Sequence, residues 1–138
     1  SDRISLILEN VASKAMSAGD RLIAYVAETR GLIEEGESIC LSIALNIDQQ
    51  SLQAEIVDDL AQFHRMNIEW LTTTFELGLH DGSILDVGDP AEEAIACLAL
   101  VDGAQLMARV HIDPELYDQA TALLRSRIVS VTGKDESR

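Results

Sequence analysis

The segment that follows Asp89-Pro90 is apolar on nearly every side, and that constrains this chain more than any other feature. After Glu92 and Glu93 it reads Ala94, Ile95, Ala96, Cys97, Leu98, Ala99, Leu100 and Val101. A surface helix needs one apolar stripe; a helix greasy all round has two opposite faces to hide. One face can serve the chain's own core, and the other needs a partner. The charge-free run is far shorter than the roughly 18 residues of a membrane span, so no membrane contact is expected.

Helical periodicity dominates the rest. Ile4, Leu8, Val11 and Ala15 form one stripe, closed by Gly19 with Asp20. A second helix from about Arg21 to Ile33 carries Leu22, Tyr25 or Val26, Thr29 and Ile33. The apolar stretch from Ser38 to Ile47 reads as a short helix, because no second strand exists for it to pair with. From Ser51, Leu52, Ile56, Leu60, Phe63, Asn67, Trp70, Thr74 and Leu77 advance by three or four, predicting a helix of about seven turns that stops at Gly78. Both prolines, Pro90 and Pro114, follow an aspartate, the arrangement of a capping residue before proline in a first helical turn. They predict helices from Pro90 to about His111 and from Pro114 to about Val131. The expectation is an all-α six-helix bundle in one domain, 1–132, with a polar tail over 133–138.

The 138 residues hold 24 Asp and Glu against 10 Lys and Arg, a net charge of −14. A surface so acidic repels phosphate backbones, so this chain by itself is not expected to bind nucleic acid. Cys40 and Cys97 lie too far apart for a Cys-x-x-Cys unit and read as buried thiols in a reducing, cytoplasmic setting. His64, His80 and His111 have no ligand spacing, and no Glu-x-x-His, Walker loop or nucleophile elbow occurs. No catalytic constellation, metal site or cofactor is expected.

Two stretches together resemble the C-terminal ligand-binding and dimerisation domain of TetR-family transcriptional regulators. Gly36 to Ile47, GESICLSIALNI, is similar to that family's short glycine-led helix. Leu77 to Arg109, LGLHDGSILDVGDPAEEAIACLALVDGAQLMAR, is similar to its long-helix end, turn, Asp-Pro start and mid-helix Asp-Gly. Ser1 to Met16 is similar to the latter part of the helix joining DNA reader to sensor. The basic helix-turn-helix segment has no counterpart in the sequence, so operator DNA belongs by resemblance to a longer parent protein.

The resemblance implies a homodimer through a four-helix bundle of the last two helices, for which Ala96, Ala99, Gly103, Leu106, Tyr117, Ala120, Leu124 and Ile128 are the candidates. Gly103 fits, because glycine inside a helix costs about 1 kcal/mol and close helix approach compensates. It also implies a pocket for a small hydrophobic effector that releases a repressor. Candidate lining residues are Tyr25, Cys40, Phe63, Met66, Asn67, Trp70, Thr74, Asp102 and Met107, whose polar or polarisable groups fall on otherwise apolar faces. Asp102 is costly if buried alone, so it pairs with Arg109 or another cation, caps a backbone group or faces a ligand. A competing reading is an autonomous acidic helical module that docks a basic partner.

Overall fold

A computed structural model describes residues 16–34 and 50–130. The expected first helix and the short helix over 38–47 lie outside the described residues, as does Cys40. Among the described residues five helical segments follow one another: α1 (Ala18–Glu34), α2 (Gln50–Asp81), α3 (Pro90–His111), α4 (Glu115–Ala120) and α5 (Ala122–Ser126). Among the described residues the only β pairing is an isolated antiparallel bridge between Ile84 and Ile128.

The stripe on α1 is buried as the spacing predicts, with Leu22, Tyr25, Val26, Thr29 and Ile33 all out of water. Its start lies earlier than expected. The Ser17 hydroxyl accepts from the Asp20 amide, so Ser17 caps the helix and Gly19 sits inside it. There is no room at Gly19 for a side chain: a Cβ would lie 2.6 Å from Ile128 Cγ2 and 3.0 Å from the Ser83 carbonyl oxygen. At Gly31, in the same helix, nothing lies within 4 Å. Gly31→Ala is expected to stabilise by about 0.5–1 kcal/mol through helix propensity. Gly19→Ala meets an overpacking cost of about 1–3 kcal/mol that exceeds the same gain. Thermal unfolding of the two variants should shift in opposite directions.

α2 runs past Gly78, the expected stop, to Asp81. Gly78 is buried against Ile84, whose side chain would lie 2.9 Å from an added Cβ, so its glycine serves packing. The turn comes at Gly82, which has φ +73° and donates its amide to the Gly78 carbonyl. α3 starts where expected. Asp89 Oδ2 accepts from the Glu92 amide, Pro90 opens the helix, Glu92 and Glu93 occupy its first turn, and Arg109 and His111 its last.

One face of α3 is buried: Ala94, Cys97, Leu98, Val101, Ala104, Gln105 and Ala108. It packs on α1 and α2, and Gln105 donates to the Thr29 carbonyl of α1. By length and composition alone α3 could also cross a membrane. Its packed face and its polar contacts to α1 and α2 are those of a bundle's central helix.

The single last helix expected from Pro114 is broken in two at Thr121. The Thr121 hydroxyl donates to the Tyr117 carbonyl, while the Arg125 guanidinium takes up the Asp118 carbonyl and the Thr121 hydroxyl. The Tyr117 and Thr121 carbonyls still accept from the Thr121 and Arg125 amides, so the interruption is local, and the Asp118 carbonyl is the one taken up by the Arg125 guanidinium. Nor does the chain stay helical toward Val131: Arg127 accepts from Leu85 and Val129 donates to Ser83.

Ser83 joins three distant parts of the chain. Its hydroxyl accepts from the Gly19 amide and donates to Asp81, and its carbonyl accepts from Val129. Asp81 in turn accepts from the Ala18 amide. Burial works against charge on Asp81, but the Ser83 hydroxyl, the Ala18 and Ser83 amides and nearby Arg21 outweigh it and hold the pKa below the ordinary value.

Candidate functional site

Several expected pocket residues come together between α1 and α2. The Tyr25 hydroxyl donates to Asn67 Oδ1 at 2.7 Å, and the Tyr25 ring stacks on Trp70 with centroids 5.7 Å apart. Asn67 spends its amide on the Phe63 carbonyl. Phe63, Met66 and Trp70 are partly buried against the core, forming a polarisable wall beside this polar pair. Thr74 is buried, but its hydroxyl donates to the Trp70 carbonyl of its own helix.

Asp102 faces the same helix pair. Its Oδ2 lies 2.8 Å from His64 Nε2, at ion-pair distance although the N–H is not aligned for a hydrogen bond. The group set against Asp102 is therefore His64 on α2 and not Arg109. Seven residues along one helix separate Asp102 from Arg109 by about 10 Å of rise, beyond direct side-chain pairing. Met107 does not join the cluster; it is 43% exposed.

A second buried polar group lies on the other side of α1. The Tyr117 hydroxyl donates to the Val26 carbonyl at 2.9 Å and contacts the Thr29 hydroxyl, and Gln105 reaches the Thr29 carbonyl from α3. Burial pushes the Tyr117 phenol well above its ordinary pKa, so it stays protonated and donating. Periodicity could have found Gln105, which falls between Val101 and Ala108 on the buried stripe of α3. The family resemblance places Tyr117 on the dimer face instead.

The expected dimer residues divide. Ala96, Ala99 and Gly103 are exposed along one line of α3, and no atom lies within 4 Å of a Cβ added at Gly103. Leu106, Ala120 and Ile128 are half-buried. Tyr117 and Leu124 are core residues of the protomer, at 0% and 5% exposure. Tyr117, Thr121 and Leu124, spaced i, i+4 and i+7, form the inward stripe, which leaves Leu123 outward at 78% exposure. Between α3 and α5 an open groove of about 150 Å³ is lined by Phe75, Glu93, Ala96, Leu100, Leu123 and Arg127. Cys97 also borders it, its thiol pushed up to about 12 by burial and hence unreactive.

Arg127 fastens this region. Its guanidinium donates to both Glu93 carboxylate oxygens, at 3.0 and 2.9 Å, and to the Leu85 and Asp86 carbonyls, and lies over the Phe75 ring. The Arg127 hydrogen bonds, opposed by burial, hold Glu93 below the usual glutamate pKa; Arg30 does the same for Asp118. A carboxylate with its pKa depressed on folding adds stability that is complete above its unfolded pKa and is lost as pH falls through the folded one. Stability should therefore drop below the ordinary carboxylate range of about pH 4. Glu93→Gln should lower the melting temperature at neutral pH and flatten its acid dependence.

No protein-family model matches the sequence, and no curated protein matches it. The chain is similar in structure to a TetR-family transcriptional regulator from Agrobacterium tumefaciens, with a TM-score of 0.79 at 23% identity. The likeness covers 94% of this chain and 68% of that one. The all-α chain therefore has a TetR-like fold.

Proposed function

We propose that this chain is the effector-sensing and dimerisation part of a TetR-like transcriptional regulator, a repressor released by a small hydrophobic ligand. The observation that carries the reading is the second apolar face of α3. Ile95, Ala96, Ala99, Gly103, Met107 and Val110 are exposed along it, with Leu123 beside them. A contiguous exposed apolar face on a small acidic protein marks an interaction surface. Its strip of small residues, Ala96, Ala99 and Gly103, suits close approach by the same strip of a second copy, an isologous contact.

Sensing is assigned to the Tyr25, Asn67 and Trp70 cluster. An apolar effector that opens the Tyr25–Asn67 hydrogen bond loosens α1 from α2 and so moves the segment preceding Ser17, through which DNA-reading heads would be swung. A coupling of about 1–3 kcal/mol would alter operator affinity about 5- to 150-fold. Trp70 is the chain's one tryptophan. Its fluorescence therefore reports ligands in this cluster, and an effector that releases operator DNA from the parent regulator should change it. If such an effector leaves Trp70 emission unaltered and binds Tyr25→Phe and Asn67→Leu variants unchanged, the sensing assignment is wrong.

A further inference from the structure

We propose that the cavity at the C-terminal end of α3 binds a small aliphatic monocarboxylate, with Arg109 as its anion-binding group. The cavity measures about 340 Å³, the lower end of the range for small-molecule sites, and is lined by Ile33, Ala108, Arg109, Ile112, Asp113 and Pro114. It lies apart from the Tyr25, Asn67 and Trp70 cluster and shares no residue with it, so the inference stands without the regulator reading.

Arg109 is the first reason. Its Nη1 is out of contact with solvent and has no hydrogen-bond partner. Arg30 is matched by Asp118, Arg127 by Glu93, and Arg125 by the Asp118 carbonyl and the Thr121 hydroxyl; Arg21 Nε is also buried without a partner, but Arg21 does not line this cavity. In a chain with 24 carboxylates and 10 cations, a guanidinium donor withheld from both water and carboxylate is conspicuous. An unpaired buried donor on a charged group is costly, and an anion reached by a turn of the guanidinium relieves it bidentately.

The second reason is Ile112. It adopts φ +51°, a conformation disfavoured for a β-branched residue, and is 89% exposed. Ile112 donates to Arg109 and Asp113 to Ala108, the hydrogen bonds that commonly place glycine at this position. The turn lifts Asp113 off the helix face, where it would be the i+4 partner of Arg109, and its carboxylate caps the Glu115 amide instead. Ile33, Ala108, Ile112 and Pro114 then supply an aliphatic wall, and Asp113 disfavours a second negative charge on the ligand.

The probe is sodium hexanoate, with 1-hexanol as its neutral counterpart, followed by amide chemical shifts of the purified chain. Hexanoate should give saturable shifts centred on Ile33 and residues 108–113, and hexanol should bind far more weakly. Arg109→Gln, which removes charge and keeps bulk, should weaken hexanoate binding about 10- to 150-fold, the range for hydrogen bonds to a charged group. Ile112→Glu, at an exposed position, should abolish binding with the fold intact, which guards against a folding defect in the first variant. Absence of saturation up to about 10 mM, equal binding of hexanol, undiminished binding by folded Arg109→Gln, or shifts centred on Tyr25 and Trp70 would each overturn the proposal.

Discussion

Tyr117→Ala should cost about 3–5 kcal/mol of unfolding free energy, the range for truncating a buried aromatic side chain. The ring is fully buried, and its hydroxyl is the donor that joins α4 to the Val26 carbonyl of α1. Tyr117→Phe keeps the ring and should cost only about 0.5–1.5 kcal/mol, the net worth of an ordinary hydrogen bond. Chemical denaturation of both variants separates the two contributions. The same pair tests where the residue sits. A core tyrosine gives a loss independent of protein concentration, whereas an interface tyrosine gives one that shrinks as the sample is diluted to protomers. A loss below about 1 kcal/mol for the alanine variant would contradict the packing described for α4.

Ala99→Asp should convert the proposed dimer to monomer. Ala99 is exposed one turn before Gly103, in the strip that the two-fold reading brings against its own copy. In an isologous contact the substitution occurs twice and near the axis, so each new carboxylate faces like charge in a region losing its water. Such juxtaposition costs several kcal/mol, and about 4 kcal/mol weakens dimerisation roughly a thousandfold. Light scattering at graded concentrations should show wild-type dimer, Ala99→Ser dimer and Ala99→Asp protomer. A wild-type chain that is monomeric at about 100 µM, or an aspartate variant sized like wild type, would remove the support for the dimeric reading.

Much of the architecture was legible because local chemistry and global packing agree. The α1 stripe and the Asp89-Pro90 start are read from spacing and capping, which depend on neighbours in sequence. The Tyr25, Asn67 and Trp70 grouping was legible for a related reason: a polar group on an apolar stripe must find a partner, and each stripe faces the other. What stayed hidden depends on distant contacts. Gly78 looks like a helix stop until Ile84 is seen filling the space beside it. The wide stripe after Pro114 holds enough apolar residues for two faces, and periodicity alone cannot say which half turns inward. Tyr117 went to the core because Val26 and Thr29 offer its hydroxyl a partner, and Leu123 was left outside. His64 carried no signal, since its pairing with Asp102 spans two helices and no short motif.

The meeting point at Ser83 bears on how this molecule comes apart. The beginning of α1 and the stretch around Val129 are both moored to one serine in the turn after α2, although 110 positions of sequence separate Gly19 from Val129. Unravelling begun at either extremity of the described chain therefore runs into the same lock. A clasp of that kind makes the bundle a closed hoop, which resists peeling from its ends and gives way only when the whole ring is sprung.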